Sequence, residues 1–404
     1  MFREKESLKK ELWKSAEAAL CILYGETPDA RILNRFYDEK MIFGDTDAII
    51  VWDIVADIRL EAKHQRHLTN LTGTDSSCFV AYLVGASDIN PLPLHYHCPS
   101  CGRIEFIENT RALPFDIAKK SCECGHNMRA DGFDIPYEMH IGRTKAHLTV
   151  APSVVDMAEK IIKARAHGIF PCISMTKTAD SPHCTYVFGE THNGKYPGII
   201  LVAFAEYDRA RILTESTGVS FESVLMGASE HYLSDPRLVY EIVKGNTDGV
   251  VGFDFNNHPR AERLKEDLSI ASPRNNYDLL HFFGAMHGTR TWVYNADAMV
   301  KEGVCHIADI PLFRDDVFLM LRDDAKINSG IAFNIADKIS HGLHFNELKE
   351  RECDLLKNSN LPTWFIPYAD KVRYISSKAA VVGSFRIALA FVWYKLVFPE
   401  KYVV

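Results

Sequence analysis

Several features are scarce in this 404-residue chain, and each scarcity excludes a class of protein. Basic residues are not in excess: 46 Lys and Arg stand against 53 Asp and Glu, a formal net charge of −7. That balance excludes a protein that binds nucleic acid over its whole surface and leaves room only for a local basic groove. No low-complexity tract, heptad array or internal repeat is present, which excludes solenoids, coiled coils and linker-like chains. An apolar leader is also missing. The opening residues "FREKESLKKELWKSAEAALCILYG" mix acids with bases and set Leu8, Leu12, Ala16, Leu20 and Leu23 at helical spacing. They read as an amphipathic helix, and the chain is expected to be cytoplasmic. The most apolar run, Ala379 to Phe398, contains Arg386 and Lys395, each costing roughly 2.5 to 3.5 kcal/mol at a bilayer centre. We read it as a buried terminal helix, partly uncovered unless another chain packs on it, and expect no membrane association.

What is present is an ordinary globular composition, 47% hydrophobic and 25% charged, enough for two or three packed units. Ten cysteines without an export signal suggest reduced thiols, some of them metal ligands. Cys21, Cys78, Cys172, Cys184, Cys305 and Cys353 are scattered and read as small buried hydrophobes. The other four cluster. Cys98-x-x-Cys101, a twenty-residue spacer and Cys122-x-Cys124 form two chelating turns of the kind a tetrahedral zinc ribbon needs, with "RIEFIE" able to form strand between them. The second turn is one residue short of the usual spacing, so His97 or His126 could replace a thiolate. Four thiolates close the coordination sphere and leave no position for water or substrate, so the metal expected is structural zinc.

Residues 1–90 read as helical, 91–136 as a cysteine-rich insert, 137–210 as a sheet with one helix, and 211–404 as almost all helix. "AHLTVAP", "IFPCISMTK", "TYVFGE" and "GIILVAFA" are the strand-like runs, with "SVVDMAEKIIKARAHG" helical between the first two. The fold class expected is α+β.

At this point the residues resemble a known family, the PolC-type alpha subunit of bacterial DNA polymerase III. "NPLPLHYHCPSC", "CECG" and "DGFDIPYE" are similar to the cysteine-bearing insertion beside the palm of those enzymes, and "SSCFVA" to the run after their nucleotide-binding turn. "MHGTRTWVYNADAMVKEG", "RDDVFLML", "LPTWFIPYADKVRY" and "FRIALAFVWYKLVFPEKY" resemble their fingers in the same order. The match runs from about residue 15 to the carboxyl end, covering palm, zinc insert and fingers. The exonuclease, PHP, single-strand-binding, clamp-binding and duplex-binding parts of such enzymes have no room in 404 residues.

The resemblance implies a polymerase-beta-like nucleotidyltransferase palm, with a zinc-ribbon-like insert and a following all-helical fingers domain. In such a palm three aspartates hold two magnesium ions that clamp the attacking and leaving oxygens. The matching positions here are His147, Thr149 and Ile200, none of them a hard anionic ligand. Magnesium is therefore not expected. Glu206 and Asp208 offer a rescue pair, on one face if the preceding strand continues, with Asp156 as a third carboxylate. The nucleotide-gripping turn keeps Gly73, Thr74 and Ser77 but has Thr72 where the family places arginine. In the fingers, Arg314 and Lys378 match phosphate-meeting positions, Ala380 replaces a histidine, and His287 is either a packed structural histidine or a DNA contact.

Three functions are compatible with these residues. The first is a polymerase-like module without polymerase chemistry that binds DNA or nucleotide or regulates a replisome. The second is an active nucleotidyltransferase using displaced carboxylates. The third is a structural subunit that meets a polymerase or replisome protein through its carboxyl-terminal helices.

Overall fold

The computed structural model describes residues 2–108, 110–140, 145–170, 172–177, 183–188, 197–226, 232–254, 261–342 and 348–402. They form a mixed α+β structure with two sheets and a helical carboxyl-terminal region. The chain divides into two compact units, one of Met1–Leu233 with Trp393–Val403 and one of Ser234–Val392.

The first unit opens with α1 (Phe2–Tyr24), α2 (Ala30–Phe43) and α3 (Ala48–His64). Asp29 caps α2 by accepting from Arg31 N–H, and α3 is apolar enough to bury most of its length, from Ile49 to Ile58 on its inner side. A three-residue strand, β1 (Thr69–Leu71), follows; α4 is short (Phe79–Leu83) and ends before Gly85, at φ +82°. So few residues carry no periodicity, which is why β1 is invisible in a segment that reads as helical. Its strand character comes from pairing: Leu71 lies opposite Leu148 and Thr69 opposite Val150 of β6 (Lys145–Val150).

Between them lies the cysteine segment, an antiparallel sheet of β2 (His95–His97), β3 (Ile104–Phe106), β4 (Lys120–Ser121) and β5 (Asn127–Asp131), in the order β3-β2-β5-β4. Its core is small: Tyr96, Cys98, Cys122 and Met128, with Ile107, Ile117 and Ala130 against them. So little apolar burial needs a further staple.

After β6 the chain forms α5 (Val155–Ala166), β7 (Ile173–Lys177), β8 (His183–Phe188) and β9 (Gly198–Ala203), giving a sheet ordered β1-β6-β9-β8-β7. Only β6 and β9 run parallel. One face, made by Ala146, Leu148, Val150, Ile199 and Leu201, is buried and packs toward α3. The first unit is completed by α6 (Glu206–Thr217), ended by Gly218 at φ +77°, and α7 (Phe221–Met226).

The second unit contains α8 (Pro236–Lys244), α9 (Ala261–Ala271), α10 (Asn276–His287), α11 (Asp297–Lys301), α12 (Arg314–Leu319), α13 (Ser329–Ser340), α14 (Glu350–Lys357) and α15 (Phe365–Lys371). Most of α10 is buried, and Gly284 there is required, since a Cβ would come within 2.4 Å of the Phe313 ring. The last long helix, α16 (Lys378–Val397), is the one described helix long and apolar enough to cross a membrane, and 67% of its most apolar window is buried within the chain. The sequence suggests a helix left partly open for another chain. Instead, residues from Ala379 to Tyr394 are almost all covered, because the apolar side chains run round the whole helix and the chain itself surrounds them.

Candidate functional site

On the parallel pair, His147 lies opposite Ile200, and Thr149 opposite Val202. Residues two apart on a strand share a face, and registered partners share it too. His147, Thr149 and Ile200 therefore stand together on the face away from α3: His147 is exposed, Ile200 half-buried and Thr149 buried. Residues 141–144, just before His147, lie outside the described residues.

Glu206 and Asp208 do not continue this face. The strand ends at Ala203, Phe204 N–H closes onto Val150 O at 2.9 Å, and both carboxylates fall in the first turn of α6. Two residues apart on a helix, side chains diverge. Asp208 instead accepts from Ser153 Oγ and lies 3.9 Å from His67 Nδ1. Asp156 starts α5 on the covered side of the sheet; burial first, then Glu159, Cys184 and Asp156, pushes the Tyr186 hydroxyl up to about 12. Among the described residues no trio of carboxylates converges, and the four clustered cysteines are the one group able to hold a metal.

The turn at Gly73 touches the same face. Thr72 N–H donates to His147 O at 2.8 Å, and a Cβ on Gly73 would lie 3.2 Å from the His147 side chain. The side chain of Thr74 lies outside the described residues. Ser77 is fully buried and Ser76 Oγ is turned back onto Gly73 O at 2.6 Å. The N–H groups of Phe79 and Val80, where a phosphate would be drawn to the start of α4, each donate to the buried Glu39 carboxylate at 2.9 Å. Glu39 is held in turn by Arg35 Nε at 2.6 Å, and Arg35 reaches Ser77 O and Ile135 O at 2.9 and 2.7 Å. Nothing in one sequence flags the role of Glu39, because the N–H groups it receives, those of Phe79 and Val80, lie about forty residues away.

In the second unit Arg314 and Lys378 are brought close together. Arg314 N–H donates to Ser376 O at 3.0 Å, and Lys378 N–H to Asp315 Oδ2 at 2.7 Å. Both side chains are buried, and Lys378 Nζ lies 3.4 Å from Asp316 Oδ1. Burial raises the pKa of Asp315, against the pull of Arg314. A phosphate would have to compete with these carboxylates. His287 Nδ1–H donates to Phe283 O at 2.8 Å and its ring tilts against the Phe283 ring at 4.4 Å, while the residue stays exposed at the wall of a cleft in the second unit.

The cysteine segment is the best-formed site. All four Sγ atoms lie within 4.8 Å of one another, with Cys98 and Cys124 at 3.4 Å and Cys101 and Cys122 at 3.6 Å. Zinc with four bonds of about 2.3 Å sets sulfurs roughly 3.8 Å apart, so the residues fit the metal. Each chelating turn is closed by a backbone bond, Gly102 N–H to Cys98 O at 3.0 Å and Gly125 N–H to Cys122 O at 2.9 Å, on glycines at φ +72° and +87°. Only glycine takes that conformation without strain. The short second turn thus reaches the cluster unaided. His126 Nδ1 stands outside it, 3.5 Å from Cys124 Sγ, while His97 packs on Tyr24, 5.6 Å between ring centroids.

No family model matches the chain. Against curated proteins it is similar to the "DNA polymerase III PolC-type" of Caldanaerobacter subterraneus subsp. tengcongensis, 21% identical over 94% of this chain and 32% of that protein. The Clostridium perfringens protein of the same name is 23% identical over 94% of this chain and 31% of its own length, and that of Staphylococcus aureus 24% over 98% and 33%. The chain is PolC-like over nearly its whole length. It spans about a third of the length of these relatives. The PolC-like chain thus carries a formed four-cysteine cluster and, on a separate sheet, a face without carboxylates at the three positions singled out in the sequence.

Proposed function

We propose that this PolC-like chain is a polymerase-like module without nucleotidyl-transfer chemistry, binding DNA or nucleotide, or regulating a replisome, from the cytoplasm. The five-stranded sheet corresponds in this reading to the palm, the four-cysteine sheet to its zinc insert and the second unit to the fingers. One observation carries it: His147, Thr149 and Ile200 share a sheet face in register, the arrangement that would clamp two metals if the three were aspartates. As they stand, an imidazole, a hydroxyl and an alkyl group offer magnesium no anionic oxygen. Zinc on Cys98, Cys101, Cys122 and Cys124 would be structural, since four thiolates exclude a fifth ligand. The displaced-carboxylate alternative is disfavoured because, among the described residues, Glu206, Asp208 and Asp156 do not gather into a group able to hold a metal. The structural-subunit alternative loses its motive, because α16 is covered.

Primer extension by the zinc-loaded protein with magnesium or manganese, read beside fluorescence anisotropy of the same primer-template, tests the proposal. Binding without extension is expected. Extension would overturn it, and absence of both signals would shift the role to a protein partner.

A further inference from the structure

The second unit contains a cleft of about 980 Å³, lined by Leu264, Met286, Trp292 and Val293 among others, at whose rim the chain takes an unusual shape. Arg290 and Tyr294 both have positive φ, 60° and 59°, without being glycine. For a side chain as bulky as tyrosine that conformation is costly and persists only when its surroundings impose it. Here they do. Asn295 Nδ2 donates to Arg290 O at 2.8 Å and to Tyr368 O at 3.1 Å, buried Trp292 anchors the loop, and Lys371 Nζ donates to Tyr294 O at 3.4 Å. The outcome is a tyrosine ring that is 73% exposed.

A second aromatic stands alongside. Thr289 N–H donates to Tyr374 O at 2.9 Å, and the N–H groups of Arg373 and Tyr374 return to Thr289 O at 2.9 and 3.2 Å. Tyr374 is 47% exposed, and Arg290, Lys371 and Arg373 are exposed around the two rings. Among the described residues none of these three cations is in an ion pair with a carboxylate; Arg373 donates to the carbonyls of Asp370 and Val372 at 2.9 and 2.8 Å. In a chain of net charge −7, three cations stand here with two open aromatic rings, and Asp254 and Asp267 line the cleft together with Arg263.

We propose that this rim binds single-stranded nucleic acid, with bases stacked on Tyr294 and Tyr374 and backbone phosphates on Arg290, Lys371 and Arg373. It rests on the nucleic-acid-binding reading above and gives it a surface. Stacking on an open ring accepts any base, and guanidinium and ammonium groups follow the phosphates, which is the chemistry of strand binding without sequence preference. An acidic peptide would use the cations but has no use for two exposed rings.

Positive φ makes the test clean, because glycine is the residue such positions prefer. Tyr294→Gly and Arg290→Gly in the full zinc-loaded chain are expected to melt no lower than the parent. Anisotropy with labelled dT10 and rU10 should show Tyr294→Gly binding about 5- to 100-fold more weakly. For Arg290→Gly the slope of log affinity against log salt should fall by about 0.7, one phosphate contact on a single strand. Comparing dT10 with rU10 tells which nucleic acid is preferred. Variants that melt like the parent and bind both oligonucleotides equally well would overturn the assignment of this rim while leaving the nucleic-acid reading standing. A parent chain that binds neither overturns both, and a labelled polyglutamate peptide binding as tightly as the oligonucleotides would overturn the choice of ligand.

Discussion

At the scale of single residues, His95 shows how burial sets chemistry. Its Nδ1 lies 2.7 Å from Pro93 O and its Nε2 3.4 Å from the Tyr24 hydroxyl, which in turn accepts from Asn90 Nδ2 at 2.8 Å. Neutral imidazole satisfies that chain: Nδ1–H donates and Nε2 accepts. Burial lowers the pKa of His95 below its usual 6.5, with a weaker opposing pull from Asp131. The unfolded chain then binds the proton more readily than the folded one, so stability is present above pH 6.5 and lost as pH falls below it. In urea titrations from pH 7.5 down to 5.5, His95→Phe should start less stable than the parent but lose less, by up to about 1.4 kcal/mol per pH unit. An unchanged slope would show that His95 is not neutral in the fold. Glu39 makes the complementary case, a buried carboxylate with its charge fully used. Glu39→Ala leaves Arg35 unpaired and two helix-starting N–H groups open, and should cost about 3 to 5 kcal/mol in chemical denaturation. The sheet face can be tested in reverse: with His147, Thr149 and Ile200 all changed to Asp, three carboxylates would stand in register. That variant should melt below the parent without metal and gain about 2.7 kcal/mol from manganese at a hundredfold excess over its dissociation constant, while the parent gains nothing.

At the scale of elements, the two sheets are held by different forces. The five-stranded sheet buries Ala146, Leu148, Val150, Ile199 and Leu201 on one face, and four of its strands, β6 to β9, are legible because short apolar runs alternate with turn residues. The four-cysteine sheet has strands of two to five residues and a core of four buried side chains. It is therefore expected to depend on metal. Hydrogen exchange after removal of zinc by a chelator should show loss of protection in β2 to β5 with retention in β6 and β9, and metal analysis should find one zinc per chain, lost on Cys122→Ser. Protection unchanged by the chelator would mean that the sheet stands without a metal. Strand β1 and the placing of Glu206 and Asp208 were not legible. Three residues have no period of their own, and where a strand stops depends on a hydrogen bond, Phe204 to Val150, formed with another strand.

At the scale of the whole molecule, the chain leaves its first compact unit at Leu233 and returns to it at Trp393. Tyr394 then donates to Val219 O at 2.7 Å and stacks on Phe221, 5.5 Å between ring centroids, while Lys401 Nζ donates to Ser216 O at 2.6 Å. Separate cores predict separate melting. Calorimetry of the zinc-loaded chain should resolve more than one transition, and chelation should lower only the one belonging to the unit that contains the cysteines. A single transition that moves as a whole would show that the units unfold together.

The sequence by itself determined the α+β class, the four cysteines as the metal candidates, the PolC-like character and the absence of carboxylates at His147, Thr149 and Ile200. These are matters of residue identity and spacing, and they survive any arrangement of the chain. Tertiary structure alone decided that those three positions share a face, that Glu39 occupies the start of α4, that Lys378 is matched by Asp316 and that Tyr294 is forced outward at positive φ. Each of these depends on groups far apart in sequence meeting at a few ångströms, and no local pattern encodes which partner will arrive.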